Sequence, residues 1–273
     1  MSPKLVWDFF GRTDSGCVRS NNEDNFGIAP DLGLLIVADG MGGHNSGEVA
    51  SELAVSTIRD CARRMLGGEK VLVPEGGAPG VPVRCRQLEH FIKTANTVIY
   101  EKGRAFPKDA GMGTTVVAAL ADEKVLSVAH VGDSRLYLFR RGVLSQLTED
   151  HSLVGDQLRR GLITPEAAAH STLQNILTRA VGAEPEVNVD VAEHPVLPGD
   201  MVLLATDGLN KMVSDAQLAT VLAREPAPAQ VVDALLGMAR RAGGLDNITV
   251  ICGRLGAAPA RGFWQQVSRL WER

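Results

Sequence analysis

The chain has 273 residues and 45% of them are hydrophobic, which is enough to bury a large core in one domain or two. Its formal net charge of −4 excludes a general electrostatic attraction to nucleic acid, and its four cysteines include no C-x-x-C pair that would indicate a zinc site or a disulfide framework. We therefore expect a globular protein with free, buried thiols in a reducing compartment and no nucleic-acid partner.

The sequence also bears on location. Residues 1–16 include a lysine, aspartates and glycines where a secretion signal needs a continuous apolar stretch. No run approaches the roughly 18 apolar residues that span a bilayer. These observations predict a cytoplasmic protein without a transmembrane segment, and we expect it to be a monomer.

Short runs rich in Val, Leu and Ile, each bounded by Gly, Asp or Asn, predict strands. They cover residues 34–38, 114–121, 125–131, 135–139, 201–205 and 248–254.

Two segments carry apolar residues at the spacing i, i+3, i+4, i+7, which predicts amphipathic helices over residues 50–65 and 88–99. Later helices are indicated by their ends or faces. These are Thr164 with Pro165, Ser214 with Gln217 as a capping box, and an apolar face from Val231 to Ala242 that ends before Gly243 and Gly244.

The order of these elements favours an α+β layered fold with antiparallel sheet over a strictly alternating parallel one. Residues 1–255 are predicted to form one domain, with a Gly- and Pro-rich surface loop over residues 67–82. Residues 256–273 form a short amphipathic tail. We favour docking of this tail on its own domain over a role as an anchor to a partner or a membrane surface.

Aspartates recur at or near the predicted strand ends. They are Asp24, Asp39, Asp133, Asp207 and Asp246. A single Asp-Gly after a strand usually marks only a turn. Repetition changes that interpretation, because adjacent strand ends can gather several carboxylates in one cleft, where cations must offset their mutual repulsion.

The ligand chemistry narrows the choice of cation. Oxygen ligands without His or Cys suit Mg²⁺, Mn²⁺ or Ca²⁺. The sequence has no EF-hand spacing, which favours a catalytic Mg²⁺ or Mn²⁺ site over a calcium sensor. A two-metal nuclease would also use such carboxylates, but the weak basic character of the chain argues against it.

Several longer motifs follow one another along the chain. They are TDSGCVRSNNED (13–24), VADGMGGHNSGEVAS (37–51), GMGTT (111–115), VGDSRLY (131–137), LTEDHSLV (147–154), LTRAVG (177–182), ATDGL (205–209) and DNITV (246–250). In this order they resemble the motifs of the metal-dependent serine/threonine protein phosphatases, called type 2C or PPM, in their bacterial branch. A lone Asp-Gly is weak evidence, but the ordered set is highly specific.

The resemblance implies a central antiparallel β-sandwich flanked by helices on both faces, in α-β-β-α layers. It also implies two core Mn²⁺ or Mg²⁺ ions and a third, weaker ion in a cleft at one end. Asp39 would bridge the core ions and Gly40 would offer them its backbone carbonyl. The other implied ligands are Asp207 and Asp246 for one core ion, Glu23 and Asp24 for the second, and Asp133 with Asp207 for the third.

Arg19 fills the family's phosphate-clamp position, and its planar paired donors match two phosphate oxygens. Two cations would relieve the repulsion between phosphate and hydroxide and lower the pKa of a bridging water. Catalysis is therefore assigned to Arg19 and Asp39. In the family, the segment matching residues 148–178 forms a mobile flap beside the active site, and we call these residues the flap.

The leaving alkoxide also needs a proton. Relatives of the animal type carry a histidine directly after the metal-bound Asp-Gly, where this chain has Met41. His44 is the candidate general acid, with a metal-bound water as the alternative. His151 is interpreted as a residue that orders its loop.

These features predict a protein serine/threonine phosphatase that hydrolyses phosphoserine and phosphothreonine by attack of a metal-bridging hydroxide. Its expected partners are phosphorylated proteins, including a bacterial serine/threonine kinase that it opposes and the substrates of that kinase. One alternative is a phosphatase of the same fold dedicated to one regulatory protein. Another is a catalytically inactive module that binds phosphoproteins, although Asp39, Asp207 and Asp246 are all present.

Overall fold

The computed structural model describes residues 4–43, 46–68, 80–169 and 171–258. The strands are β1 (Leu5–Asp14), β2 (Asp24–Ala29), β3 (Leu34–Met41), β4 (Gly113–Thr114), β5 (Val116–Ala121), β6 (Val125–Val131), β7 (Arg135–Arg140), β8 (Val143–Gln146), β9 (Asp190–Pro195), β10 (Met201–Ala205) and β11 (Ile248–Ala257). The α-helices are α1 (Ser46–Leu66), α2 (Val83–Ala105), α3 (Leu153–Arg159), α4 (Pro165–Ala169), α5 (Asp207–Asn210), α6 (Asp215–Arg224) and α7 (Pro228–Arg241).

The strands form two sheets in which every pairing is antiparallel. One sheet has the order β1-β11-β10-β7-β8, and the other has the order β2-β3-β5-β6-β9 with β4 attached to β3. Helices α1 and α2 pack on the second sheet, and α6 and α7 pack on the first. The expected α+β sandwich, with helices on both faces, is confirmed.

Side-chain alternation explains why the central strands are apolar throughout. In β3, Leu34 and Ile36 pack toward α1 and α2, whereas Leu35 and Val37 pack between the sheets. In β10 the same alternation puts Leu203 toward α7 and the residues beside it in the sandwich interior. A strand buried on both faces has no solvent side, so its sequence lacks the polar alternation of a surface strand.

The predicted strands and helices are all present. The strands predicted at 125–131 and 201–205 coincide with β6 and β10, and the run at 114–121 divides into β4 and β5. The predicted helices at 50–65 and 88–99 lie within α1 and α2. The capping box at the start of α6 is also found, since the Gln217 side chain accepts a hydrogen bond from the Ser214 backbone N–H.

Four full strands were missed by the sequence analysis: β1, β2, β8 and β9. Each of them lies at an edge of its sheet. Edge strands pair on one side only and keep polar residues toward solvent, so their sequences are less strongly apolar than those of central strands.

Two further predictions, the burial of the cysteines and the start of the tail, differ from the structure. The four thiols are free, but Cys17 is exposed and Cys61 is partly exposed, so burial holds for Cys85 and Cys252 alone. Strand β11 continues to Ala257, into the segment assigned to the tail, and residues 259–273 lie outside the described part of the chain. Among the described residues, no helix has the length and apolar character needed to cross a membrane.

Two glycines bring the start of α1 against the end of β3. A Cβ atom on Gly47 would lie 2.8 Å from both the carbonyl carbon and the carbonyl oxygen of Gly40, and 2.9 Å from the carboxyl carbon of Glu23. Gly40 likewise has no room for a side chain, because a Cβ atom there would lie 2.0 Å from the Gly47 carbonyl oxygen. Only glycine at both positions permits this crossing.

We predict that Gly47→Ala destabilises the protein by about 1–3 kcal/mol through this backbone overlap. The sign is informative, because alanine in place of glycine normally stabilises a helix by about 1 kcal/mol. The matched control is Gly43→Ala, whose Cβ would meet no described atom within 4 Å and should change stability by less than about 0.5 kcal/mol. Chemical denaturation of both variants measures the difference, and a Gly47→Ala protein as stable as the wild type would contradict the crossing.

Candidate metal centre

Five aspartates come together at one end of the sandwich. Asp24 and Asp39 are direct partners across β2 and β3. Asp133 lies in the turn between β6 and β7, Asp207 begins α5 after β10, and Asp246 precedes β11. Burial, together with the charges of the other four aspartates, raises the pKa of Asp39 well above its ordinary value. The carboxylates therefore share one electrostatic environment.

Asp24 is held by two hydroxyl groups. Its Oδ2 accepts hydrogen bonds from Thr206 Oγ1 at 2.8 Å and from Thr249 Oγ1 at 2.7 Å. Its Oδ1 is buried and has no hydrogen-bond partner among the described residues. Burial raises the pKa of Asp24 to about 7, although the two threonine hydroxyls act in the opposite direction. One carboxylate oxygen is thus fixed and the other is left for a ligand.

Backbone contacts fix Asp39 and connect it to the Asp133 turn. The Asp39 N–H donates to Thr115 Oγ1 at 3.0 Å, and the Asp39 carbonyl accepts from the Thr115 N–H at 2.8 Å. Thr115 Oγ1 also lies 2.7 Å from Ser134 Oγ, and the two hydroxyls share a hydrogen bond. Ser134 directly follows Asp133, so this hydroxyl chain sets the spacing of the two aspartates.

A hydrogen bond to His151 also fixes the Asp133 turn. Gly132 has a positive φ of 104°, and its N–H donates to His151 Nδ1 at 3.1 Å. Because Nδ1 accepts, the proton of the neutral His151 ring is on Nε2, which donates to Asp190 Oδ2 at 3.2 Å. Burial, Asp207 and Asp150 raise the pKa of Asp133 to about 7.

His151 belongs to a second group of potential metal ligands. Within the described residues, His130, His151 and Asp190 have ligand atoms within 4.8 Å of one another. Arg179 Nη1 already donates to Asp190 Oδ1 at 2.5 Å, and burial with the neighbouring His130 lowers the pKa of His151 to about 4. Arg179 supplies the positive charge here, so we interpret this group as a structural support of the Asp133 turn.

Arg19 and Asp246 form a two-pronged ion pair. Arg19 Nη2 lies 3.0 Å from Asp246 Oδ2, and Nε lies 2.9 Å from Asp246 Oδ1. Half of the Arg19 side chain remains exposed. Glu23 is anchored nearby by its backbone, since its N–H donates to Asn247 Oδ1 at 2.8 Å. The arginine predicted to clamp phosphate therefore lies beside the carboxylates and is oriented by one of them.

Lys211 is a residue that the sequence analysis missed. Its Nζ donates to Asp207 Oδ2, while Asp207 Oδ1 is buried without a hydrogen-bond partner among the described residues. The spacing in the sequence could have indicated this pair, because an acid and a lysine four residues apart face each other on a helix. The predicted proton donor His44 lies outside the described residues.

Comparisons with known proteins identify related phosphatases. The family model described as protein phosphatase 2C matches residues 18–243. The serine/threonine phosphatase stp of Listeria innocua is 39% identical over 246 residues, which cover 88% of this chain and 92% of that protein. The crystal structure of the Mycobacterium tuberculosis serine/threonine phosphatase PstP/Ppp is similar with a TM-score of 0.80 and 34% identity, over 92% of this chain and 99% of that chain. A structure of the PstP catalytic domain in complex with two manganese ions has a TM-score of 0.79 and 33% identity, over 93% and 100% of the two chains.

We predict that Thr249→Val destabilises the protein by about 1–3 kcal/mol, because it removes a hydroxyl donor from a buried carboxylate without changing the volume of the side chain. The control is Thr220→Val on the exposed face of α6, where the hydroxyl donates to the Ala216 carbonyl and its loss should cost less than about 0.5 kcal/mol. Denaturant titration compares the two variants. Equal effects would mean that the Thr249 hydroxyl does not hold Asp24.

Proposed function

This chain belongs to the protein phosphatase 2C family, and from that membership we propose that it hydrolyses phosphoserine and phosphothreonine esters in proteins, using Mn²⁺ or Mg²⁺ ions held at the end of the sandwich. The family match spans most of the chain. The catalytic domain of the related phosphatase PstP has been crystallised in complex with two manganese ions. The reaction class is phosphoric monoester hydrolysis by a metal-dependent enzyme.

One observation carries the metal assignment. Asp24 and Asp207 each present a buried oxygen without a hydrogen-bond partner among the described residues, next to the Asp39 carboxylate. A buried carboxylate oxygen without a partner is costly unless a cation or water binds it.

We assign the ligands according to position. Asp39 and the Gly40 carbonyl would help to hold the core ions, together with Asp207 and Asp246 for one ion and Glu23 and Asp24 for the second. Asp133 and Asp207, the outer pair, would hold a third ion. When bound, the core ions supply positive charge to the phosphate and an activated water as nucleophile.

The remaining groups bind and orient the substrate. Arg19 is held beside the centre by Asp246 and keeps half of its side chain exposed, so its guanidinium can meet phosphate oxygens in pairs. The flap carries exposed apolar side chains at Leu158, Leu162 and Ile176, which suit contacts with a protein substrate. His44 remains our candidate for protonating the leaving alkoxide.

The partners follow from the reaction. Phosphoserine and phosphothreonine are made by protein kinases, so we propose that the enzyme opposes a bacterial serine/threonine kinase. We also propose that the enzyme acts as a monomer. Free thiols support a reducing compartment such as the cytoplasm.

The proposed function is tested by turnover of a phosphothreonine peptide and of p-nitrophenyl phosphate with Mn²⁺, Mg²⁺, Ca²⁺ or EDTA. We expect activity with Mn²⁺ or Mg²⁺, none in EDTA, and recovery on readdition of metal.

Asp39→Asn should reduce turnover to background, because it removes charge shared by both core ions. The surface control Asp233→Asn loses only an exposed ion pair with Arg12 and should retain activity. Full activity in excess EDTA would contradict the metal mechanism, and phosphopeptide binding without turnover would favour the inactive module.

A separate prediction concerns Arg19. Arg19→Ala should lower kcat/KM by about ten- to a hundred-fold, because charge-assisted hydrogen bonds to phosphate are lost. Metal affinity should stay equal or rise, since Asp246 loses its competing cation. Arg19→Lys keeps the charge but not the planar fork, and it should be intermediate. Manganese titration with steady-state kinetics measures both quantities, and loss of metal binding in Arg19→Ala would show that the arginine supports the ligands instead.

A further inference from the structure

Lys211 lies one helical turn after Asp207. Helix α5 has four residues, Asp207–Asn210, and Lys211 is the residue that ends it. The Lys211 ammonium donates to Asp207 Oδ2, and the side chains of the pair are 25% and 16% exposed. The protein thus places its own cation on a carboxylate of the candidate metal centre.

The same ammonium also bonds the flap. Lys211 Nζ donates to Asn175 Oδ1 at 2.6 Å. Two backbone hydrogen bonds join the start and the end of the flap just after Asn175. The Leu153 N–H donates to the Ile176 carbonyl at 2.8 Å, and the Thr178 N–H donates to the His151 carbonyl at 2.9 Å. One side chain connects the returning end of the flap to Asp207.

We propose that Lys211 is a positioning residue that partly neutralises Asp207, a member of the outer pair, and holds the flap to it through Asn175. A divalent cation at the outer pair competes with the ammonium for Asp207 Oδ2. Binding there therefore weakens the Lys211–Asn175 connection, and outer-site occupancy and flap order oppose each other as linked equilibria. The inference rests on the metal assignment proposed above.

The first test is Mn²⁺ titration of the wild type, Lys211→Met and Asn175→Ala, followed by calorimetry and by the electron paramagnetic resonance signal of free Mn²⁺. In Lys211→Met the weakest ion should bind about ten-fold more tightly, the effect of removing one partly screened charge, and the core ion that shares Asp207 should also bind more tightly. The matched control is Lys93→Met, which removes the Glu89–Lys93 pair of the same spacing on α2 and should leave all affinities unchanged.

The second test is hydrogen exchange of the amides of residues 171–178 in metal-free protein. Lys211→Met and Asn175→Ala should each accelerate exchange several-fold, the double variant should add little, and Lys93→Met should match the wild type. Mn²⁺ at a concentration that fills the weakest site should accelerate exchange in the wild type but not in Lys211→Met. Asn175→Ala touches no assigned ligand, so it tests the connection even if Lys211→Met folds poorly.

The outcomes separate this inference from the function on which it rests. Unchanged affinity of the weakest ion in Lys211→Met, or unchanged flap exchange in both single variants, would overturn the role of Lys211 while leaving the phosphatase assignment intact. Absence of any Mn²⁺ binding to the wild type would overturn the metal assignment and the Lys211 proposal together. Tighter outer binding with faster flap exchange supports both parts.

Discussion

Repulsion among carboxylates at one end of the sandwich is the constraint on which the candidate site depends. Burial first, and then the neighbouring negative charges, disfavour ionisation here, which is why the pKa values of Asp24 and Asp133 rise to about 7. The fold offsets part of this repulsion with fixed donors. Hydroxyls hold Asp24, Arg19 pairs with Asp246, and Lys211 pairs with Asp207. Divalent cations would offset the remainder.

Antiparallel topology explains why these residues meet. The neighbouring strands β10 and β11 run in opposite directions, so the residues that follow the end of β10 lie near those that precede the start of β11. Asp207 is the second residue after β10, and Asp246 is the second residue before β11. The buried apolar strands behind them supply the stability that permits a strained electrostatic arrangement at their ends. The apolar residues within each strand therefore stabilise the fold, and the polar residues beyond its end form the candidate site.

The central strands and their terminal aspartates could be predicted because both leave local patterns. A strand such as β10 is apolar throughout, and its Asp-Gly follows after one threonine. The edge strands β1, β2, β8 and β9 were missed because partial exposure admits polar residues and removes the pattern. The predicted burial of Cys17 was wrong for a related reason. Cysteines are buried on average, but the residue type does not fix the burial of one position.

The sequence by itself determined the family resemblance, the antiparallel layered class and the identity of the candidate ligands, because motif order and strand-end chemistry are properties of short segments. Tertiary structure decided which donors hold those ligands. Thr249 reaches Asp24 across 225 positions and Arg19 reaches Asp246 across 227. Lys211 faces Asp207 through local helix geometry, but its bond to Asn175 depends on where the flap returns. Such contacts join segments that only packing brings together, and no local periodicity encodes them.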